Sequence, residues 1–220
     1  MKKLVVTIDG PAGAGKTTTS KKLAELLGYR YIDTGALYRG IAYEVREKNI
    51  DPENAKSLEE LCSSIKLNLI NNHKGLRIIS GNMDISDYIR TPEISMLASA
   101  VSAKPVVREF LLELQREMGR EKNAVFEGRD MGTIVFPEAE VKFFLSASDK
   151  ARALRRYLEL CEISPQTLEE VERDMILRDK NDSSRVLAPL KPAEDAIIID
   201  ATDLSIDQVI NLMLTHINNY

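Results

Sequence analysis

The chain has 220 residues, enough for one sizeable α/β domain with an insertion or at most two small domains. Hydrophobic residues at 44% and charged residues at 29% are ordinary for a globular protein, and a net charge of −4 argues against binding long nucleic-acid tracts. No apolar run approaches the roughly 20 residues that cross a bilayer, and the apolar stretch behind the basic start MKK is too short for a signal segment, so a cytoplasmic protein without a membrane partner is expected. Cys62 and Cys161 lie far apart in no metal-binding pattern, which reads as two small buried or half-buried thiols.

Taken in chain order, Val5 to Asp9 predicts a buried strand. The next helix carries Leu23, Ala24, Leu26 and Leu27 on one face before Gly28 stops it. A short strand at 29–33 and a helix with Leu37, Ile41, Ala42 and Val45 inward complete a βαβα pattern, which implies a parallel sheet. Ser57-x-x-Glu60 then reads as a capping box, and KLNLI, NNHKG and LRIIS as strand, turn and strand, so residues 58–90 form a small α+β insertion. Thr91-Pro92-Glu93 and Pro105 start two helices, the second turning Val107, Phe110, Leu111, Leu114 and Met118 inward. AVFEGRD and VKFFLSA supply two more buried strands and AIIID a fifth; the charged stretch before AIIID reads as two helices and a loop, a mobile cover. Ser205-x-x-Gln208 caps a final amphipathic helix carrying Ile206, Val209, Ile210, Met213, Leu214 and Ile217.

Gly10-Pro11-Ala12-Gly13-Ala14-Gly15-Lys16-Thr17 matches G-x-x-x-x-G-K-[ST], the phosphate-binding loop. Glycines let backbone N–H groups approach phosphate oxygens, the helix N-terminus adds its positive end, and Lys16 supplies a full charge. Thr17 offers a hydroxyl to Mg²⁺, and Thr18 extends the same edge. The pattern predicts ATP or GTP with Mg²⁺. A GTPase would also carry NKxD and DxxG, and a transporter ATPase LSGGQ; none occurs. Beyond the loop the chain carries a scatter of arginines: Arg39, Arg90, Arg108, Arg129, Arg152, Arg155, Arg156, Arg173, Arg178 and Arg185. Phosphoryl transfer between two anionic nucleotides needs such fixed donors to offset phosphate repulsion. The expected architecture is a P-loop NTPase-type parallel five-stranded sheet flanked by helices, with a core at 1–57, 91–147 and 191–220, an acceptor-side insertion at 58–90 and a helical lid at 148–190.

IDGPAGAGKT, DTGALYRG at 33–40, EGRDMGTIVFPEAEVKFFLSA at 127–147 and RDKNDSSRVLAPLKPAEDAIIIDAT at 178–202 together resemble the bacterial cytidylate kinase family over nearly the whole chain. The resemblance implies transfer of the γ-phosphoryl group of ATP to CMP or dCMP, by a monomer that handles small nucleotides. It implies that Arg129 handles the acceptor phosphate and that Asp130 reads the base with Ser99 and Arg108. Cytosine presents an amino donor beside two acceptors, so a carboxylate plus a guanidinium complements it, whereas uracil reverses the first two groups. Tyr38, Arg39 and Thr34 resemble acceptor-side ligands, although spacing alone would equally place Tyr38 in the core. Asp182 and Arg185 resemble sugar-side contacts, and Arg178 a lid arginine that reaches the transferring phosphate.

Arg155 and Arg156 are adjacent on a helix, so one of them is expected to turn toward ATP. Lys16, Arg129 and Arg178 are expected to carry the catalysis. No apolar run followed by Asp marks a metal ligand; Asp33 and Asp130 could hold Mg²⁺ through water. His73 and His216 have no relay neighbours, and Lys21-Lys22 reads as a solvated face. The alternatives are a UMP or TMP kinase of the same fold, or a regulator that binds nucleotide without turnover.

Overall fold

Five consecutive buried residues, Val5–Asp9, form β1, the middle of a parallel sheet. A strand covered on both faces needs apolar side chains at successive positions, and VVTID supplies them with only Thr7 and Asp9 as polar exceptions. This computed structural model describes residues 3–72, 75–161 and 165–220. The chain divides into two compact units, Met1–Tyr31 with Glu121–Tyr220, and Ile32–Arg120.

In the first unit, α1 (Lys16–Leu27) comes after β1 and ends at Gly28, whose φ of 64° permits the left-handed cap. After β2 (Arg30–Asp33), β6 (Ala124–Glu127), β7 (Val141–Ser146) and β8 (Ile197–Asp200) complete the sheet in the order β2-β6-β1-β7-β8. β1 pairs in parallel with β6 and β7, and β7 with β8. A π-helical turn, Met131–Val135, succeeds β6. The helices α6 (Asp149–Leu160) and α7 (Leu168–Ser183) lie between β7 and β8, and α8 (Ile206–Asn219) packs on α1. The expected capping box at Ser205 and Gln208 is present, and another at Thr167 and Glu170 starts α7.

The second unit holds α2 (Thr34–Glu47), α3 (Ala55–Ser64), α4 (Pro92–Val101) and α5 (Pro105–Gly119). Its small antiparallel sheet is formed by β3 (Leu67–Asn72), β4 (Gly75–Ser80) and β5 (Met83–Asp84). Leu37, Ile41, Ala42 and Val45 face inward as expected, and they share one core with Leu58, Ile78, Ile94 and Leu111. α4 begins at Thr91, whose hydroxyl accepts from the Ile94 amide, with Pro92 in the first turn.

Several expectations are corrected. Leu26 is exposed, because at 100° per residue it lies well off the stripe of Leu23, Ala24 and Leu27. α3 is capped by Asn54, which accepts from the Ser57 amide, so Ser57 sits inside the first turn and opens no capping box. β8 is an edge strand that exposes Ile198, and Ile206 is exposed in the first turn of α8. Cys62 is buried, with its thiol pushed up to about 11, whereas Cys161 is exposed at the end of α6. The tip of the NNHKG turn, with His73, lies outside the described residues. His216 packs edge-on against Phe143, and Lys22 pairs with Asp207 while Lys21 lies over Tyr31.

One core position conflicts with its surroundings. Gln115 of α5 is fully buried, and neither its amide nitrogen nor its oxygen has a hydrogen-bond partner among the described residues. A buried amide without partners costs free energy that an apolar side chain of similar shape does not. Gln115→Met is expected to stabilise the protein by about 1 kcal/mol, measured by urea unfolding; a loss of that size would contradict the assignment.

Candidate active site

The loop joining β1 to α1 has no space for side chains at two of its glycines. A Cβ on Gly10 would lie 2.0 Å from the carbonyl oxygen of Leu145 in β7, and one on Gly13 2.6 Å from that of Arg152 in α6. Both residues also have positive φ, 145° and 70°. α1 starts at Lys16 with no side-chain cap on Gly15, so no capping side chain claims its first amide donors. That leaves a helix N-terminus with the polarity an anion requires.

Cations gather beside it. Lys16 is buried, with Nζ 2.6 Å from the Pro11 carbonyl oxygen. Its pKa lies well below the ordinary lysine value, first because of burial and then because of the charges on Arg129 and Arg178, which Glu127 and Asp179 partly offset. Asp182 of α7 is the common counter-ion: its carboxylate receives Arg129 Nε at 3.2 Å, Arg178 Nε at 3.9 Å and the Arg185 guanidinium. Lys16, Arg129, Arg178, Asp182 and Arg185 are therefore assembled around one place. Such a set, joined to a helix N-terminus, can hold a polyphosphate and stabilise charge moving along it.

Thr17 reveals a residue that sequence reasoning missed. Its hydroxyl donates to Glu127 Oε1 at 2.8 Å, and Glu127 is the buried last residue of β6, beside β1. The signal was the string AVFE, an apolar strand ending in an acid, which a search for Asp in that place passes over. Among the described residues no three His, Cys, Asp or Glu side chains cluster as a metal site. The oxygen pair of Thr17 and Glu127 nevertheless has the hard-donor chemistry that Mg²⁺ takes when phosphates and water complete its shell. Asp33 is the N-cap of α2 and pairs with Arg39 at 2.7 Å.

Asp9 is the other missed residue. It closes β1, and its carboxylate accepts from the amides of Met131 and Gly132 at 2.9 and 2.7 Å. These two bonds fix the π turn directly behind Arg129 and the buried Asp130.

Of the remaining expected residues, Thr18 is exposed on α1. Arg155 Nη2 donates to the carbonyl oxygens of Ala201 and Thr202 at 2.6 and 3.3 Å, while Arg156 pairs with Glu159 on the surface of α6. In the second unit, Thr34 is buried at the start of α2 and Ser99 is buried on α4. Arg108 donates to the Ser102 carbonyl oxygen at 3.1 Å, the Ser102 hydroxyl donates to the Ser99 carbonyl oxygen, and the Arg108 guanidinium lies 5.8 Å from the Tyr38 ring centroid. Ser99, Arg108 and Tyr38 thus form one group. Tyr38 is half-buried and packs against the core.

A phosphate-binding loop on the central strand of a five-stranded parallel sheet, together with a charged helical cover, defines a P-loop kinase. Two solved structures share the fold at low identity: an uncharacterized protein from Eubacterium ventriosum, at a TM-score of 0.57 and 12% identity over 99% of both chains, and a shikimate kinase from Acinetobacter baumannii, at 0.51 and 16% over 99% of this chain and 94% of that one. The sequence narrows the class, since residues 6–219 match the cytidylate kinase family and the protein belongs to it. It is 49% identical to the cytidylate kinase of Geobacter sulfurreducens over 96% of this chain and 91% of that one. Against that of Halalkalibacterium halodurans it is 43% identical over 99% and 98%.

Asp9 makes the fold sensitive to pH. Burial pushes its pKa from 3.8 to about 6, against the lowering effect of the Gly132 and Met131 amides. Between these values the native state holds a proton that the unfolded chain has released. The associated stability is full below pH 3.8 and is lost as the pH rises through about 6, a change of about 3 kcal/mol. Unfolding free energies of wild type and Asp9→Asn, measured by urea from about pH 4 to about pH 7, should show the wild-type value falling relative to the variant. A constant difference would mean that Asp9 does not titrate there.

Proposed function

We propose that this protein transfers the γ-phosphoryl group of ATP to CMP or dCMP, yielding ADP and CDP or dCDP. The observation that carries this reading is the family match across residues 6–219, which includes the phosphate loop and the arginines held by Asp182. In this mechanism the loop amides and Lys16 hold the β- and γ-phosphates of ATP. Thr17 and Glu127 are the residues that would hold Mg²⁺, which when bound supplies charge neutralisation between the phosphates. Arg129 takes the acceptor phosphate with Tyr38, Arg39 and Thr34. Arg178 exchanges part of its pairing with Asp182 for phosphate as charge develops in transfer, and Asp182 and Arg185 contact the acceptor sugar. Ser99, Arg108 and Asp130 read the base, and Arg155 borders the ATP side.

No protein base is needed, because positioning and charge stabilisation supply the rate. Each guanidinium acts by offsetting repulsion between anions that must approach within bonding distance.

A coupled ADP-release assay with CMP, dCMP and UMP tests the proposal directly; no turnover with any cytidine acceptor would overturn it. Lys16→Ala should lower kcat to below about a tenth of wild type with the fold retained, since one charge aimed at the phosphates is worth several kcal/mol in the transition state.

Asp130→Asn separates base reading from phosphate handling. A mismatched buried polar pair costs roughly 10- to 200-fold in kcat/KM, so the variant should lose far more with CMP than with UMP while the KM for ATP changes little. Equal losses would remove Asp130 from the base site.

A further inference from the structure

Arg152 has no part in that mechanism, yet it is 5% exposed and all its donor groups are engaged. From α6, Nε donates to the Ala147 carbonyl oxygen at 3.0 Å and Nη2 to Asp149. Nη1 is shared between the carbonyl oxygen of Ala12 in the phosphate loop, at 2.9 Å, and Asp179 of α7. Asp179 completes the ring by accepting from the Ala12 amide at 3.4 Å. Both backbone polar groups of one loop residue are thus held by side chains from the two cover helices.

Packing reinforces the same contact. The carbonyl of Arg152 and the Met175 methyl occupy the space a Cβ on Gly13 would need, at 2.6 and 2.9 Å. Ala12 packs with Ala153, Leu160, Val171 and Met175, the small apolar core shared by α6 and α7. Met175 and Asp179 are one turn apart, so a single face of α7 meets the loop. Arg178 is the neighbour of Asp179, and Asp182, which holds Arg178 and Arg129, lies three residues further on.

We propose that Arg152 and Asp179 are positioning residues that latch the cover helices to Ala12 of the phosphate loop and thereby set the place of Arg178 during phosphoryl transfer. The proposal rests on the kinase reading. A helix is rigid over one turn, so fixing Asp179 against the loop fixes the direction in which Arg178 projects. Loosening the latch leaves every phosphate ligand in the chain but lets the cover carry Arg178 away. The loss then falls on the transition state more than on substrate binding.

Asp179→Asn keeps the size of the side chain and removes its charge. It is expected to lower kcat by about 10- to 100-fold while the KM for CMP stays within about threefold, because the damage is to geometry in the transition state. In an Arg178→Ala background the same substitution should cost less than about threefold more, since its effect runs through Arg178. A purely structural role would give equal losses in both backgrounds, tracking the drop in melting temperature, and would overturn the proposal; so would an unchanged kcat. Arg152→Lys provides the second variant: a lysine keeps the charge but cannot serve four acceptors, so it should reproduce the kcat loss and not restore it.

Hydrogen exchange separates this proposal from the kinase reading. Faster exchange at the Ala12 amide and along α7 in Asp179→Asn is expected whatever the acceptor turns out to be. Unchanged exchange would overturn the latch even where CMP turnover is intact.

Discussion

The backbone between β1 and α1 is confined on two sides, and the rest of the molecule is arranged around that confinement. At Gly10 the limit is the Leu145 carbonyl of β7; at Gly13 it is the Arg152 carbonyl of α6 and the Met175 methyl of α7. A loop that approaches other backbone this closely cannot carry side chains at those points and adopts positive φ there. The loop leads directly into the N-terminus of α1, where an anion is favoured. The sheet therefore fixes one end of the loop and the cover helices the other.

Charge obeys the same placement. An anion site needs several cations close together, and cations close together repel. The fold meets this with buried carboxylates that take several partners each: Asp182, almost fully buried, receives three guanidiniums, and Asp33 both caps α2 and holds Arg39. Removing one such carboxylate would leave cations desolvated without compensation, which is costlier than losing a surface ion pair. Lys16 has no carboxylate bonded to Nζ among the described residues and rests on a carbonyl oxygen, which accords with its lowered pKa.

What the sequence made legible was mostly local. The loop, the Thr91 and Ser205 caps and the inward stripe of α2 each depend on residues within one or two turns. What it left hidden depends on pairing across long separations. Asp9 meets Met131 and Gly132 more than a hundred positions away, and Thr17 meets Glu127 only because β1 and β6 lie side by side. Leu26, Ile198 and Ile206 are apolar by type, but the packing partners available to each face determine their exposure. Asn54 caps α3 in place of Ser57 because either residue can cap, and the path entering the helix determines which does.

The segment Glu127-Gly128-Arg129-Asp130 shows how tightly separate duties can be packed. Glu127 still belongs to β6, so the strand aims it at the Thr17 hydroxyl. The Gly128 amide still donates to the Ile8 carbonyl oxygen of β1 at 3.1 Å, and the next residue, Arg129, pairs with Asp182. Asp130 is held on both sides of its side chain: its carbonyl oxygen accepts from the Ile134 and Val135 amides, and the next two amides are tied to Asp9. Within four residues the protein thus sets a carboxylate beside the loop threonine, a guanidinium in the arginine cluster and a second, buried carboxylate ahead of a clamped turn. Each depends on a different neighbour. A substitution in this stretch therefore displaces more than its own side chain.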